Sequence, residues 1–148
     1  MLIQDMTRQE SIGLLTRRSF GHLGCSQNGQ PYVTPIHFAY DQECLYSFST
    51  VGQKIAWMRA NPLVCLEAEE IESSQKWTTV IVLGRYEELP GTLEFEDRRK
   101  FAYSLLQQRR QWWEPGYAKT ILHGTERQLE LVYFCIHVVE LSGHRAMP

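Results

Sequence analysis

The chain has 148 residues, of which 43% are hydrophobic and 22% charged, and its formal net charge is −2. That is an ordinary globular composition, long enough to bury a core without staples, and its negative balance speaks against a nucleic-acid binder driven by phosphate neutralisation. The start, "MLIQDMTRQES", lacks the basic region and apolar run of a signal peptide, and no apolar run reaches membrane-span length. These features give one domain over residues 1–148 in a reducing cytoplasm.

"TRQE" at Thr7 to Glu10 has the form of a capping box, and Ile12 and Leu15 follow at helical spacing, predicting a helix over about residues 7–17. The segment "SFGHLGCSQNGQPYVTPIHFAYDQECLYSFST" then reads as strand, turn, strand, turn, strand. Asn28-Gly29 is a tight-hairpin signal, since both residues tolerate positive φ, and Asp41-Gln42-Glu43 makes the next turn. Pro35 removes a ladder donor from the second strand, which predicts an edge or a bulge and leaves backbone near residues 34–37 open to a ligand. A short helix, "QKIAWMRA", is closed by Asn61-Pro62.

"LVCLEAEEI" and "KWTTVIVLGRYEEL" are the next strands, separated by the polar "ESSQ". Pro90-Gly91 ends the second. "TLEFEDRRKFAYSLLQQRRQWW" reads as an amphipathic helix with Phe95, Phe101, Leu105 and Leu106 on one stripe. "EPGY" breaks it. "QLELVYFCIHVVEL" is the last strand, ending at Ser142-Gly143. About six antiparallel strands joined by hairpins, with helices at the margins, predict a mainly β fold, a β-barrel with flanking helices.

The four cysteines, Cys25, Cys44, Cys65 and Cys135, show neither C-x-x-C nor a zinc spacing. Cys65 and Cys135 sit in apolar strand-like runs and read as buried free thiols, with no metal site. No G-x-S-x-G or H-E-x-x-H motif marks a hydrolase. His137 alternates with apolar neighbours and reads as a satisfied barrel residue. His37, in the proline-bearing strand, reads either as a structural histidine or as a donor for an anionic or carbonyl-rich ligand. Trp112-Trp113 forms an aromatic patch, over a pocket or in a subunit contact.

The stretch "FSTVGQKIAWMRANP" has two readings. Ser49, Thr50 and Lys54 at a helix mouth suit an anion, because a helix start offers unpaired N–H groups and partial positive charge. Alternatively, Thr50 is an N-cap and Lys54 a solvated side chain. Trp77, Thr78 and Thr79 read either as a lid on the barrel end or as a wall beside a flat ring.

Taken in order, "GQPYVTPIHFAYD", "LYSFSTVGQKIAWMRANPLVCLE", "WTTVIVLGRYEEL" and "VVELSGHRA" resemble the pyridoxamine 5′-phosphate oxidase-like flavin proteins from about Gly21 to Ala146. "WWEP" and "GHRA" resemble a small bacterial branch labelled flavin-nucleotide-binding or nitroimidazole-resistance-like. The resemblance implies an FMN-binding split β-barrel with FMN in a groove at a homodimer interface. It implies that Tyr32, Thr34, Pro35, Ile36 and His37 run along the flavin, continued by Phe48, Ser49 and Thr50. Gln53 and Lys54 correspond to the basic pair that holds the phosphate, and Trp77, Thr78 and Thr79 reach the ring. The oxidase itself has arginines where Gln53 and Tyr32 stand, and a C-terminal Arg-x-His segment without equivalent in "GHRAMP". The implied function is an FMN-dependent oxidoreductase acting on an unidentified small molecule, not a true pyridoxamine phosphate oxidase. A flavin carrier without turnover is one alternative; a haem-binding relative with His37 or His137 on the iron is the other.

Overall fold

A computed structural model describes residues 1–109 and 118–148. Helix α1 (Arg8–Arg17) starts at the capping box: Glu10 N–H donates to Thr7 Oγ1 at 3.2 Å, and Thr7 N–H donates to the Glu10 carboxylate at 2.7 Å. Two tight hairpins follow. Strands β2 (Phe20–Gln27) and β3 (Gln30–His37) turn through Asn28 and Gly29, at φ 50° and 78°. Strands β4 (Ala39–Asp41) and β5 (Cys44–Thr50) turn through Gln42 and Glu43, at φ 45° and 66°. After helix α2 (Gln53–Ala60), β6 (Leu63–Ser73) and β7 (Lys76–Leu89) form a long hairpin, so the loop of the "ESSQ" segment shrinks to a turn at Ser74 and Gln75. A 3₁₀ turn at Leu93–Phe95 leads into α3 (Glu96–Gln107).

The sheet runs β3-β2-β6-β7-β10-β5-β4, where β10 (Leu131–Met147) is the hub that pairs with both β5 and β7. Strand β1 (Leu2–Asp5) adds to the end of β10. The sheet curls so that the β3–β4 junction meets β5: Ser47 Oγ donates to the His37 carbonyl at 2.6 Å, and Phe38 N–H to the Ser19 carbonyl at 3.0 Å. This is the mainly antiparallel split barrel with flanking helices that the hairpin order predicts. Among the described residues β3 pairs only with β2, so Pro35 does lie on an edge strand.

The barrel interior holds Leu23, Leu45, Leu66, Val80, Val82, Phe134 and Ile136, closed by Leu14 and Leu15 of α1 and Ile55 and Met58 of α2. A second layer lies outside, where Ala102 and Leu106 of α3 cover Tyr46, Leu89, Tyr133 and Cys135. The centre of β10 is therefore buried on both faces, which is why "VYFCI" is continuously apolar. Phe134, fully buried, contributes on the order of 2–3 kcal/mol by its removal from water.

Several expectations need correction. The described residues contain ten strands rather than about six. Neither β1 nor the exposed hairpin of β8 (Lys119–Leu122) and β9 (Thr125–Gln128) was expected. β10 does not stop at Ser142-Gly143 but runs to Met147, with a bulge between Val138 and Glu140. On α3 the buried stripe is Ala102 and Leu106, while Phe101 is 42% exposed. Trp112 and Trp113 lie outside the described residues. Among the described residues, no helix is long and apolar enough to cross a membrane.

Candidate functional site

The end of β3, the end of β5 and the start of α2 converge on a cavity of about 210 Å³ lined by Pro35, Ile36, His37, Phe48, Ser49, Thr50 and Lys54. Pro35, on the edge strand, has no N–H to donate, and the far side of β3 carries no sheet partner among the described residues, so this backbone stays accessible. Ser49 is buried, and its hydroxyl turns back onto the Thr50 carbonyl at 3.2 Å. The His37 ring meets Phe20 edge-on with centroids 5.6 Å apart.

The mouth of α2 decides between the two readings of its sequence. The N-cap is Gly52, in extended conformation, and no side chain caps the helix. Thr50 is not the cap, so among the described residues the first-turn N–H groups of α2 have no side-chain cap. Nor is Lys54 a freely solvated side chain. It is half-buried, and burial pushes its pKa below the ordinary lysine value, with the Cys25 thiol acting weakly the other way. Among the described residues no carboxylate pairs with it. A cation partly withdrawn from water, beside uncapped amides and without a counter-ion, forms a local excess of positive potential open to an anion.

The remaining candidates lie outside this wall. Gln53 is exposed at the helix start. Thr34 is half-buried on β3. Tyr32 packs on Trp57 of α2, ring centroids 5.6 Å apart, and lines a different groove. Trp77, Thr78 and Thr79 open β7, opposite Ala146, Arg145 and His144 of β10, and Thr78 lines a separate depression with Glu10, Arg17 and Arg145. One chain thus assembles seven of the thirteen candidates and leaves six elsewhere.

The second groove, about 510 Å³, lies on the outer face of the sheet between Val33, Leu63, Leu83 and Val139. These side chains are 66%, 61%, 46% and 72% exposed, respectively. Such a contiguous apolar face is unusual on a monomer. Strand β3 belongs to both places: Pro31 to Val33 edge the apolar groove, and Pro35 to His37 the Lys54 cavity.

The chain is similar to known proteins over nearly its whole length. An uncharacterized protein of Rhizobium meliloti is 38% identical over 146 residues, covering 99% of this chain and 97% of the relative. The crystal structure of an FAD-binding protein from Mesorhizobium loti superposes with a TM-score of 0.81 at 38% identity, covering 99% of each chain. A 5-nitroimidazole antibiotic resistance protein from Bacteroides thetaiotaomicron shares the fold, with a TM-score of 0.68 at 16% identity, covering 98% of this chain and 89% of that one. The family model described as pyridoxamine 5′-phosphate oxidase matches residues 7–145, a span that takes in the curled sheet, both grooves and the mouth of α2, and the chain belongs to that family.

Proposed function

We propose that the protein is a homodimeric flavin-binding oxidoreductase with FMN as its cofactor, acting on a small molecule. One observation carries the proposal: a half-buried Lys54, without a carboxylate partner among the described residues, stands at the uncapped start of α2, at the end of an open groove. The site fits the group. Lys54 and the first-turn amides of α2 would hold the phosphate, with Thr50 at its edge. Backbone groups of Pro35 to His37 and the Phe48 side would hold the flat ring. When bound, the flavin supplies hydride or electron transfer, and the protein sets access and orientation.

Size supports a dimer. Small-molecule sites commonly span about 300–1,000 Å³, and the cavity of one chain holds about 210 Å³. The missing wall is assigned to a second copy seated on the apolar face of Val33, Leu63, Leu83 and Val139. Because β3 runs from that face into the Lys54 cavity, a copy docked there meets the rim of the groove. Trp77, Thr78 and Thr79 are assigned to the ring contact from that second copy. Four free cysteines support a reducing, cytoplasmic location.

FAD is the second reading, favoured by the similarity to the FAD-binding protein from Mesorhizobium loti. The experiment is direct. The tag-free protein is purified, its visible spectrum recorded, and the chromophore released by denaturation and weighed by mass spectrometry. FMN supports the first reading and FAD the second. A protein that is colourless and takes up neither flavin rejects both. Bleaching by a reduced nicotinamide nucleotide, followed by reoxidation with an acceptor, separates an enzyme from a carrier.

A further inference from the structure

Beneath the edge of α3, three strands bring together side chains that are far apart in sequence. In the β5–β10 ladder, Cys44 stands opposite His137 and Tyr46 opposite Cys135; in the β7–β10 ladder, Cys135 faces Glu87. All of these point to the face that α3 covers. Cys44 Sγ is 3.5 Å from His137 Nδ1, and one ligating atom from each of Cys44, Cys135 and His137 lies within 4.8 Å of the others. The other ring nitrogen, Nε2, is 2.8 Å from the Glu87 carboxylate and 3.4 Å from Cys135 Sγ. Arg98 of α3 holds that carboxylate at 2.6 Å and lies 3.3 Å from Cys135 Sγ.

We propose that Cys44, Cys135 and His137 form a zinc site, with His137 bound through Nδ1 and the fourth position left to water. Three observations carry it. First, the donor set is two thiolates and an imidazole, which suits a tetrahedral borderline-soft cation. Tetrahedral ligands of zinc stand about 3.5–3.8 Å apart given Zn–S near 2.3 Å and Zn–N near 2.0 Å; the Cys44–His137 separation already has that value at 3.5 Å, while Cys135 Sγ, now 3.4 Å from Nε2, would have to turn toward Nδ1 to complete the set. Second, a metal-bound histidine characteristically donates its other N–H to a carboxylate. Glu87 is in place as that acceptor and is itself fixed by Arg98. Third, the charges close. The Glu87 carboxylate and the Arg98 guanidinium already cancel as an ion pair at 2.6 Å. One Zn²⁺ replacing two thiol protons leaves the local net charge unchanged, with Arg98 beside the thiolate of Cys135.

An entry path exists, because Cys44 is only partly buried and the His137 side chain is 45% exposed. Cys135 is fully buried and Cys44 sits at the rim, so the ion would tie β5 to β10 under α3. The sequence does not reveal this site because Cys44 lies on β5, 93 residues before His137, and only the β5–β10 register brings it to Cys135 and His137.

The test uses tag-free protein stripped with a chelator and dialysed, then titrated with Zn²⁺ and separately with Co²⁺. The expected result is one Zn²⁺ per chain, a raised melting temperature, and a Co²⁺ complex with thiolate charge-transfer absorption and intense tetrahedral d–d bands. Cys44→Ser and His137→Gln, both at accessible positions, are expected to lose the charge-transfer intensity at Cys44 or weaken binding at least tenfold. Glu87→Gln is expected to weaken it about 10–100-fold as the outer partner of the histidine. Metal-free melting curves of each variant check that the fold survives. Absence of stoichiometric Zn²⁺ uptake, an octahedral Co²⁺ spectrum, or unchanged binding in both Cys44→Ser and His137→Gln overturns the proposal. None of these readouts involves a flavin, so the outcome stands apart from the cofactor reading.

Discussion

Replacing Lys54 with methionine separates a phosphate-gripping lysine from one that merely packs. Methionine keeps most of the aliphatic stem and removes the charge. In the free protein the ammonium is disfavoured by burial and has no carboxylate partner among the described residues, so its folded-state pKa lies below its ordinary value. A depressed lysine pKa means the charged form opposes folding, so Lys54→Met should leave the melting temperature unchanged or raise it. With FMN the balance reverses. A hydrogen bond to a charged group contributes about 1.5–3 kcal/mol, and each 1.4 kcal/mol is tenfold in affinity, so FMN should bind about 10–150-fold more weakly. The α2 amides keep their own contribution, about 0.3–1 kcal/mol, so binding is weakened rather than abolished. Riboflavin, which has the ring and ribityl chain without the phosphate, should bind the variant and the parent alike. Isothermal titration of both flavins against both proteins reads this out. Equal loss for riboflavin and FMN, or no loss for FMN, would remove Lys54 from the phosphate site.

Other perturbations probe the frame around the site. At Gly84, opposite Val138 beside the β10 bulge, a Cβ would press on Ile136 and come within 2.7 Å of the His137 carbonyl oxygen. Backbone cannot yield as a side chain can, so Gly84→Ala should cost about 1–3 kcal/mol, seen as a lower urea midpoint with an unchanged slope. An unshifted midpoint would mean that the β7–β10 contact is looser than the geometry shows. Leu83→Glu places a carboxylate in the apolar outer groove, where Leu83 is 46% exposed. It should shift the protein to monomer in analytical ultracentrifugation and weaken flavin retention, and an intact dimer would move the interface to another face. Hydrogen bonding from Arg98 holds the Glu87 carboxyl at about 2, below its ordinary 4.5, against the opposing effect of burial and with help from His137. A folded pKa below the unfolded one means stabilisation that is present above pH 4.5 and lost as the pH falls toward 2. In chelator, the parent should therefore lose more stability than Glu87→Gln between pH 6 and pH 3, measured by urea midpoints; equal losses would assign the acid sensitivity elsewhere.

The fold was legible where a local rule dictates a turn. Asn28-Gly29 adopts the two positive φ values that a tight hairpin needs, and Thr7 with Glu10 makes both capping-box bonds. It was illegible where a glycine has a tertiary cause. Gly143 reads as a strand terminator, yet β10 continues through it, because a Cβ there would strike Ser11 of α1 and come within 3.2 Å of Met6. The glycine marks the close approach of α1 and not a stop. Strand β1 was missed for a related reason: "LIQD" is short and exposed, and only its pairing with residues 144–147 makes it a strand. Hairpin β8–β9, exposed throughout, turns at His123-Gly124, a signal that was readable but passed over.

The site divides along the same line. Its first half sits on contiguous segments, residues 35–37 and 48–54, and the structure joins these into one cavity. The basis for choosing between cap and anion site was not local. It took Gly52 as the N-cap, and the barrel around Lys54, to show that the lysine is half-buried and has no carboxylate partner among the described residues. Cys44, Cys135, His137 and Glu87 meet only through strand register, which the bulge near Val138 and the order of β5, β10 and β7 determine.

The most direct measurement of the central claim is a crystal structure of the protein grown with FMN. The account places the phosphate within hydrogen-bonding distance of Lys54 Nζ and the first amides of α2, with the ring lying along Pro35 to His37 and covered by a second copy of the chain. A flavin whose phosphate sits away from Lys54, or one bound wholly within a single subunit, would count decisively against it.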